Sequence, residues 1–286
     1  MIKQLEFELN SYFYDFKNKK YPKLTIKIST GTKCNLNCSY CLQNEEKHKN
    51  HNISDINVKD IINKIESFKR DIKIIVVGGE PTIMNNFVYF ISELTKLQNV
   101  KTIVVMTNLL TDTSILRKVN KLKLRFDVSL HYEELIRKKL ESKFLDNFKI
   151  VRPLVDYVGV VADPRYSDND VSTIKKTFKE VPWKFKNYIG EYEERNYPNE
   201  YTNDELERFE LKNSLEKYVP KETCSVLNKF LILTNDHIYP CSTLLGLDVT
   251  NKSIKYSHSD INEEFNLMSN SFKCPLDYCG CPEDNI

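Results

Sequence analysis

Six short β-branched runs alternate with amphipathic helical segments along this chain, and that alternation constrains the fold more than any other feature. The runs that predict strands lie at residues 24–30, 72–77, 102–107, 124–130, 157–161 and 183–189. Apolar residues at helical spacing separate these runs, clearly at 58–68 and 87–97 and more weakly at 114–119, 133–148 and 171–178. Such alternation predicts an α/β protein with a parallel sheet, either open and doubly wound or a partial barrel.

Charge and hydropathy narrow the class of protein and its compartment. The chain has 42 basic and 40 acidic side chains, a net charge of +2, which disfavours a nucleic-acid partner. Charges recur throughout residues 1–20, and no apolar run approaches the roughly 20 residues that span a bilayer. We therefore expect a cytoplasmic protein with no membrane partner. The cytoplasm is reducing, and there clustered thiols are more often metal ligands or catalytic groups than disulfides.

The eight cysteines fall into two groups, separated by 182 residues without cysteine. Cys34, Cys38 and Cys41 form the first group, directly after the first predicted strand. Carboxyl ends of parallel strands are where such folds place their chemistry. Three thiols within eight residues fit a zinc site completed by His48 or His51, and they equally fit a [4Fe–4S] cluster with one open iron. The cysteine motif alone leaves both alternatives open.

The end of the second predicted strand carries Gly78 and Gly79, two of only seven glycines in the chain, followed by Glu80 and Pro81. Adjacent glycines let a backbone pass close to a ligand and expose its N–H and C=O groups. Because the cysteine motif follows the neighbouring strand, this pair favours a cofactor site over a simple tight turn.

Together these motifs resemble the radical SAM superfamily, whose signature is CxxxCxΦC after the first strand of a partial (β/α)6 barrel and GGEP after the second. The matching residues are Cys34, Cys38, Tyr40 and Cys41, then Gly78, Gly79, Glu80 and Pro81. Two further positions resemble family contacts to the cofactor. Asn108 ends the third strand where the family often has Thr-Asn-Gly, with Leu109 in place of the glycine, and Ser129 lies in the fourth strand.

The resemblance implies that Cys34, Cys38 and Cys41 hold a [4Fe–4S] cluster whose open iron binds S-adenosylmethionine (SAM). It also implies that the backbone of residues 78–81 holds the amino group of SAM and that the backbone at Tyr40 meets its adenine. The implied chemistry is reductive cleavage of SAM to a 5′-deoxyadenosyl radical that abstracts hydrogen from a substrate. The electron would come from an external one-electron donor of the flavodoxin or ferredoxin type.

A second metal site is predicted near the end of the chain. The five late cysteines are Cys224, Cys241, Cys274, Cys279 and Cys281. Their layout fits a zinc ribbon, and it also resembles the SPASM and shorter twitch extensions that accompany radical SAM cores. Asp236 stands where the hairpin motif of those extensions has glycine. The resemblance implies one auxiliary [4Fe–4S] cluster, which takes four of the five thiolates and serves as an electron relay.

These patterns divide the chain into four regions. We predict an N-terminal extension at 1–22, a radical SAM core at 23–200, a connecting helix at 201–223 and a small cysteine-rich auxiliary-cluster region at 224–286. Thr202 and Glu205 have the spacing of a capping box at the start of that helix. The region from Arg165 to Tyr201 is a candidate wall of a substrate pocket, although such a segment is more often a solvated charged linker or surface helix. Its candidate residues are Arg165, Tyr188, Glu191, Tyr192 and Glu194.

The resemblance implies a net oxidation or bond formation on a peptide or a small sugar-like metabolite. Two alternatives remain open at this point. One is radical SAM modification of a nucleotide or RNA, and the other is a zinc- or cluster-binding protein without catalysis. His131 follows the fourth predicted strand and is placed to carry a proton, but a lone histidine is more often structural, so it receives no catalytic role.

Overall fold

The computed structural model describes residues 24–41, 55–68 and 71–211, together with the backbones of two short strands near the end of the chain. The central strands are β1 (Leu24–Ser29), β2 (Ile72–Val77), β3 (Val100–Thr107), β4 (Leu124–Leu130), β5 (Val155–Ala162) and β6 (Trp183–Asn187). The helices between them are α1 (Asp55–Ser67), α2 (Phe87–Lys96), α3 (Thr113–Lys118), α4 (Tyr132–Lys138), α5 (Glu141–Val151) and α6 (Asp168–Thr177). After β6 come a hairpin of β7 (Gly190–Tyr192) and β8 (Arg195–Tyr197), helix α7 (Asn203–Arg208), and strands β9 (Phe230–Leu233) and β10 (Ile238–Tyr239).

Strands β1 to β6 lie side by side in chain order, and every adjacent pair is parallel. On the other side of β1, strand β9 is also parallel and β10 pairs antiparallel to β9. Within the described part of the chain, β6 and β10 are the two edges, so the sheet does not close into a barrel. The predicted α/β fold with a partial TIM-like barrel is confirmed. No helix in these described ranges is both long and apolar enough to cross a membrane.

All six predicted core strands are present, and two local expectations were wrong. Strand β6 ends at Asn187 rather than at residue 189, because the N–H of Tyr188 donates to the Tyr201 hydroxyl at 2.7 Å instead of continuing the ladder. The helical pattern at 133–148 is two helices, α4 and α5. They separate at Lys139, whose φ of 55° ends α4 in a left-handed conformation.

The two faces of the sheet differ in chemistry. Along β4, Leu124, Phe126, Val128 and Leu130 are buried in the helix-covered core, whereas Arg125, Asp127 and Ser129 alternate with them and face the other way. Burying one such apolar side chain stabilises the fold by about 1.5–3 kcal/mol. We call the face turned away from the core the polar face. Its charged and aromatic residues include Lys73, Asp127, Tyr157, Lys184 and Lys186.

Several predicted features lie outside the described residues. They are the N-terminal extension, His48, His51 and the five late cysteines. Strand β9, which falls within the predicted auxiliary region, extends the core sheet beside β1. The capping box at the start of α7 is present, with Thr202 and Glu205 as its two members. The four-region division itself remains a prediction.

Candidate functional site

The candidate site is built on the cysteine loop, residues 30–41, which leaves the carboxyl end of β1. Two main-chain hydrogen bonds join this loop to the segment after β2. The N–H of Gly79 donates to the carbonyl oxygen of Gly31 at 2.8 Å, and the N–H of Glu80 donates to that of Lys33 at 2.9 Å. The two motifs that the sequence singled out are therefore one continuous structure at the same edge of the sheet.

Gly78 and Gly79 make this close approach possible. A Cβ atom on Gly79 would lie 2.3 Å from the carbonyl oxygen of Lys33, and one on Gly78 would lie 2.3 Å from the hydroxyl of Thr30. Gly78 also has a φ of +149°, which side-chain-bearing residues rarely adopt. These glycines therefore allow the cysteine loop to approach the backbone closely. That they also expose the backbone to a ligand stays a prediction. Since Gly79 and Glu80 donate their N–H groups within the protein, a ligand ammonium there would meet carbonyl oxygens.

The buried carboxylate of Glu80 joins the ends of β2 and β3. Its Oε1 accepts from the N–H of Thr82 at 3.1 Å, from the Thr82 hydroxyl at 2.5 Å and from the Thr107 hydroxyl at 2.7 Å. Its Oε2 accepts from the N–H of Asn108 at 2.6 Å. Burial raises the pKa of Glu80, and these four donors oppose that rise. Through these hydrogen bonds, Glu80 links the end of β2 to the end of β3. Pro81 beside it is also buried.

The side chain of Asn108 extends this hydrogen-bond network to the cysteine loop. Its Nδ2 donates to Oδ1 of Asn35 at 2.7 Å and lies 3.9 Å from the sulfur of Cys34. Its Oδ1 accepts from the N–H of Leu110 at 2.9 Å, which fixes the turn after β3. Leu109, at the position where the resemblance leads one to expect glycine, is fully buried and has a φ of 58°. The left-handed conformation is therefore kept although the glycine is absent.

Tyr40, the aromatic residue of the cysteine motif, points into the protein. Its hydroxyl and Nδ1 of His131 share a hydrogen bond of 2.8 Å, and its ring meets that of Tyr188 edge-on at 5.3 Å between centroids. Burial lowers the pKa of His131 to about 4, so the imidazole is neutral near neutral pH. The histidine that looked isolated in the sequence is the partner of the motif's aromatic residue.

Helix α4 supplies two anchors that the sequence analysis missed. Oε2 of buried Glu134 accepts from the N–H of Asn37 at 3.4 Å, and Nζ of Lys138 donates to the carbonyl oxygen of Asn35 at 3.2 Å. Glu134 and Lys138 also pair with each other at 3.6 Å. Their only sequence signal is a Glu–Lys pair four residues apart, which any solvated helix can carry.

Arg165 holds the cysteine loop from the end of β5. Its Nε donates to Oδ1 of the fully buried Asp163 at 2.7 Å, and its guanidinium also donates to the hydroxyl of Ser39 at 3.3 Å. Glu133 lies 3.5 Å from the guanidinium, and the ring of Tyr192 lies 5.8 Å from it. The predicted pocket residue Arg165 is thus already engaged by carboxylates and by the loop.

Ser129 lies on the polar face of β4, directly beside Gly159 of β5 in the strand register. The structure therefore gathers most of the predicted SAM-contacting positions around the cysteine loop and leaves Ser129 on the adjoining sheet surface. The late cysteines fall outside the described residues, so their placement stays a prediction.

The three thiols of the cysteine loop influence one another electrostatically. Burial raises the pKa of Cys38 to about 12, a hydrogen bond with Tyr40 opposes the rise, and Cys34 and Cys41 add to it. Burial likewise raises the pKa of Cys34. Within residues 24–41, 55–68 and 71–211, no three His, Cys, Asp or Glu side chains form a group that could hold a metal ion. The three thiols of the loop thus lie near one another without converging on a single metal position. Thiolates are the donors that Fe–S clusters use.

Comparison with known proteins places this site in context. A sequence profile described as the radical SAM superfamily matches residues 28–177, just over half of the chain. The chain is 27% identical over 85 residues to GTP 3′,8-cyclase of Haemophilus influenzae (strain PittGG), which is 29% of this chain and 25% of that enzyme. The matched segment thus spans a quarter of that relative's own length.

Solved structures show the same fold. A structure described as native anSMEcpe with bound AdoMet has a TM-score of 0.57 and 16% identity, covering 87% of this chain and 80% of that chain. Native anSMEcpe with bound AdoMet and Cp18Cys peptide has a TM-score of 0.53 and 16% identity, covering 77% and 74%. At this level of identity the likeness establishes the fold alone.

Proposed function

The chain belongs to the radical SAM superfamily, and from that premise we propose that it cleaves SAM reductively and oxidises or couples a substrate. The observation that carries this proposal is the anchoring of the cysteine loop at the carboxyl ends of four successive strands. Gly79 follows β2, Asn108 follows β3, His131 follows β4 and Arg165 follows β5, and each makes a hydrogen bond to the loop. A loop fixed from four sides is preorganised for a cofactor that must be held in one orientation.

Cys34, Cys38 and Cys41 would hold the cluster, and displacement of thiol protons by the metal would offset the raised pKa values of Cys34 and Cys38. When bound, the cluster and SAM supply a one-electron cleavage that yields a 5′-deoxyadenosyl radical able to abstract hydrogen. Carbonyl oxygens of residues 78–81 would accept from the SAM ammonium, and the backbone at Tyr40 would meet the adenine. The Tyr40 ring, packed against His131, would shield one side of the site from water.

Asn108 and Ser129 would complete the binding of SAM. Asn108 is fixed by the Glu80 carboxylate and by Asn35, so its amide is held beside Cys34. Ser129 lies on the polar face beside Gly159, where its hydroxyl would contact SAM. In these assignments, Asn108 at the end of β3 and Ser129 on β4 position SAM.

The late cysteines would hold one auxiliary [4Fe–4S] cluster in a SPASM- or twitch-like region. Four of the five thiolates would serve as ligands, and the cluster would carry away the electron left after hydrogen abstraction. An external flavodoxin- or ferredoxin-type donor would supply the first electron. Such a relay predicts a net oxidation or bond formation on the substrate.

A peptide or a small sugar-like metabolite is the substrate class that we propose. The anSMEcpe complex, which holds a peptide and AdoMet on a similar fold, supports the peptide. Modification of a nucleotide is the second candidate, because the sequence relative GTP 3′,8-cyclase is named for a nucleotide.

The decisive experiment uses the full chain, purified without oxygen and reconstituted with iron and sulfide. Addition of dithionite and SAM should yield 5′-deoxyadenosine and methionine, with about eight irons per chain if both clusters form. Replacing Cys34, Cys38 and Cys41 together by alanine should abolish SAM cleavage. The matched control replaces the five late cysteines by alanine, which should leave about four irons and retain SAM cleavage.

Two outcomes would contradict the proposal. Absence of 5′-deoxyadenosine from a protein that carries its iron would refute radical SAM chemistry and favour a binding protein without catalysis. Substrate turnover at the full rate after loss of the late cysteines would refute the relay.

A further inference from the structure

The polar face of the sheet carries opposite charges that the proposed SAM site does not use. Asp127 lies on β4, Lys186 on β6 and Lys73 on β2. Burial raises the pKa of Asp127, and the charges of Lys73 and Lys186 oppose that rise. Asp127 is therefore within electrostatic reach of both lysines, although the three residues lie on separate strands.

Gly159 lets Lys186 reach across the sheet. A Cβ atom placed on Gly159 would lie 2.6 Å from Cε and 2.9 Å from Nζ of Lys186, so the lysine lies flat over this position of β5. In the register, Gly159 is beside Ser129 of β4. The ammonium of Lys186 also lies 5.2 Å from the centre of the Tyr157 ring, a cation–π distance. These contacts direct the ammonium from β6 toward the proposed SAM-contacting serine.

The backbone of Lys186 lies one residue before the end of β6, beside Val161 of β5. The charge of Lys186 contributes to the lowered pKa of His131, after burial and against the opposing effect of Glu134. Because His131 is hydrogen-bonded to Tyr40, Lys186 lies within electrostatic reach of the innermost part of the cysteine motif.

Neither charge is paired within the described part of the chain. No carboxylate oxygen of the described residues lies within 4.0 Å of Nζ of Lys186, and no basic nitrogen lies that close to the Asp127 carboxylate. Burial lowers the pKa of Lys186, and Asp127 opposes that change. A half-buried ammonium without an ion-pair partner is unfavourable unless an anion reaches it.

We propose that Lys186 binds an anionic group, a carboxylate or phosphate, of the substrate on the polar face, and that the Tyr157 ring holds the ammonium in place. This inference rests on the proposed function, because it places the substrate beside the SAM position. It narrows the substrate class to peptides or metabolites that carry an anionic group near the carbon that loses hydrogen. A charge-assisted hydrogen bond in such a site is stronger than one between neutral groups.

The test measures the accessibility of Lys186 itself. The reconstituted full chain is acetylated briefly with an amine-specific reagent at fixed ionic strength, and the modification of Lys186 is quantified by peptide mass spectrometry. Sodium phosphate and glutarate are the probes, and exposed Lys149 on α5 is the internal reference. Each probe should slow acetylation of Lys186 about tenfold without affecting Lys149. No change at Lys186 with either probe would overturn the proposal.

Gly159→Ala provides the matched variant. The added Cβ collides with the flexible end of Lys186 rather than with backbone, so the ammonium should move while the sheet keeps its fold. We expect a melting temperature close to that of the wild type and loss of the protection by phosphate and glutarate. Undiminished protection in Gly159→Ala would overturn the assignment, because the anion would then bind elsewhere.

SAM itself carries a carboxylate, so a further arm separates the two sources of the anion. SAM and decarboxylated SAM are each added without phosphate or glutarate. Protection of Lys186 by SAM but not by decarboxylated SAM would assign the anion to SAM and overturn the substrate assignment. Protection by glutarate that persists with saturating SAM supports it. SAM cleavage is measured on the same preparation, so an active enzyme with an unprotected Lys186 refutes this inference alone.

Discussion

Gly79→Ala tests the attachment of the cysteine loop most directly. The added Cβ would lie 2.3 Å from the carbonyl oxygen of Lys33 and 2.5 Å from that of Thr32. Both neighbours are backbone atoms, so relief requires the loop itself to move. That movement would break the hydrogen bonds from Gly79 to Gly31 and from Glu80 to Lys33.

The expected cost follows from these contacts. Two main-chain hydrogen bonds contribute about 1 kcal/mol each, and forcing a methyl group into a packed region costs about 1–3 kcal/mol. The sum is about 3–5 kcal/mol. If the free energy of unfolding of the whole domain falls by this amount, the melting temperature falls by roughly 6–20 °C. If the loop detaches locally, the melting temperature changes less and iron incorporation is lost instead.

Calorimetry of the purified chain and iron analysis after anaerobic reconstitution distinguish these two responses. Gly159→Ala is the control, because the three atoms nearest to its Cβ would all belong to the flexible Lys186 side chain. A Gly79→Ala protein that keeps both the wild-type melting temperature and the wild-type iron content would refute the reasoning. The loop would then not depend on the close approach that the structure shows.

Three further predictions concern the neighbouring contacts. Glu80→Gln should lower the free energy of unfolding by about 2–4 kcal/mol in denaturant titrations, because an amide cannot accept from all four donors and one buried N–H, for example that of Asn108, loses its partner. Leu109→Gly should destabilise by about 1–4 kcal/mol in the same assay, because relief of the left-handed conformation, about 1 kcal/mol, is smaller than the loss of a buried leucine. Burial raises the pKa of Glu205, but hydrogen bonds with Arg195 and the α7 cap outweigh it and hold the pKa below its ordinary value. The stabilisation from Glu205 is therefore present above the ordinary glutamate pKa and lost as the pH falls through the lowered value, and Glu205→Gln should remove that part of the acid-side slope of the melting temperature.

The strand pattern could be predicted because the core strands are buried on their helix-covered face and rich in β-branched residues. Strands β2 and β4 begin and end at the predicted residues. The break between α4 and α5 could not be predicted, because it depends on Lys139 adopting a left-handed conformation that glycine or asparagine would have signalled. Helical periodicity continues across that residue, so the pattern alone favours a single helix.

The cysteine motif and the paired glycines were predictable because their residue types are rare and their spacing is specific. The anchors that orient the loop were not. Glu134 and Lys138 have the spacing of an ordinary helical ion pair, and His131 is a lone histidine at a strand end. Their roles depend on which side chains the fold brings beside residues 34–41, and that information is not local in the sequence.

The loop is attached by two physically different means, and this difference explains which half of the site the sequence revealed. Toward β2 the contacts are between backbones, and close backbone contact requires glycine, so the requirement is visible as Gly78 and Gly79. Toward β3, β4 and β5 the contacts run through side chains such as that of Asn108, for which several residue types could serve. Leu109 shows the limit of the glycine signal, because its buried side chain compensates for a conformation that glycine would adopt at no cost. Positions where two backbones are in close contact therefore require a particular residue type. Positions that contact the loop through side chains require mainly a suitable location in the fold.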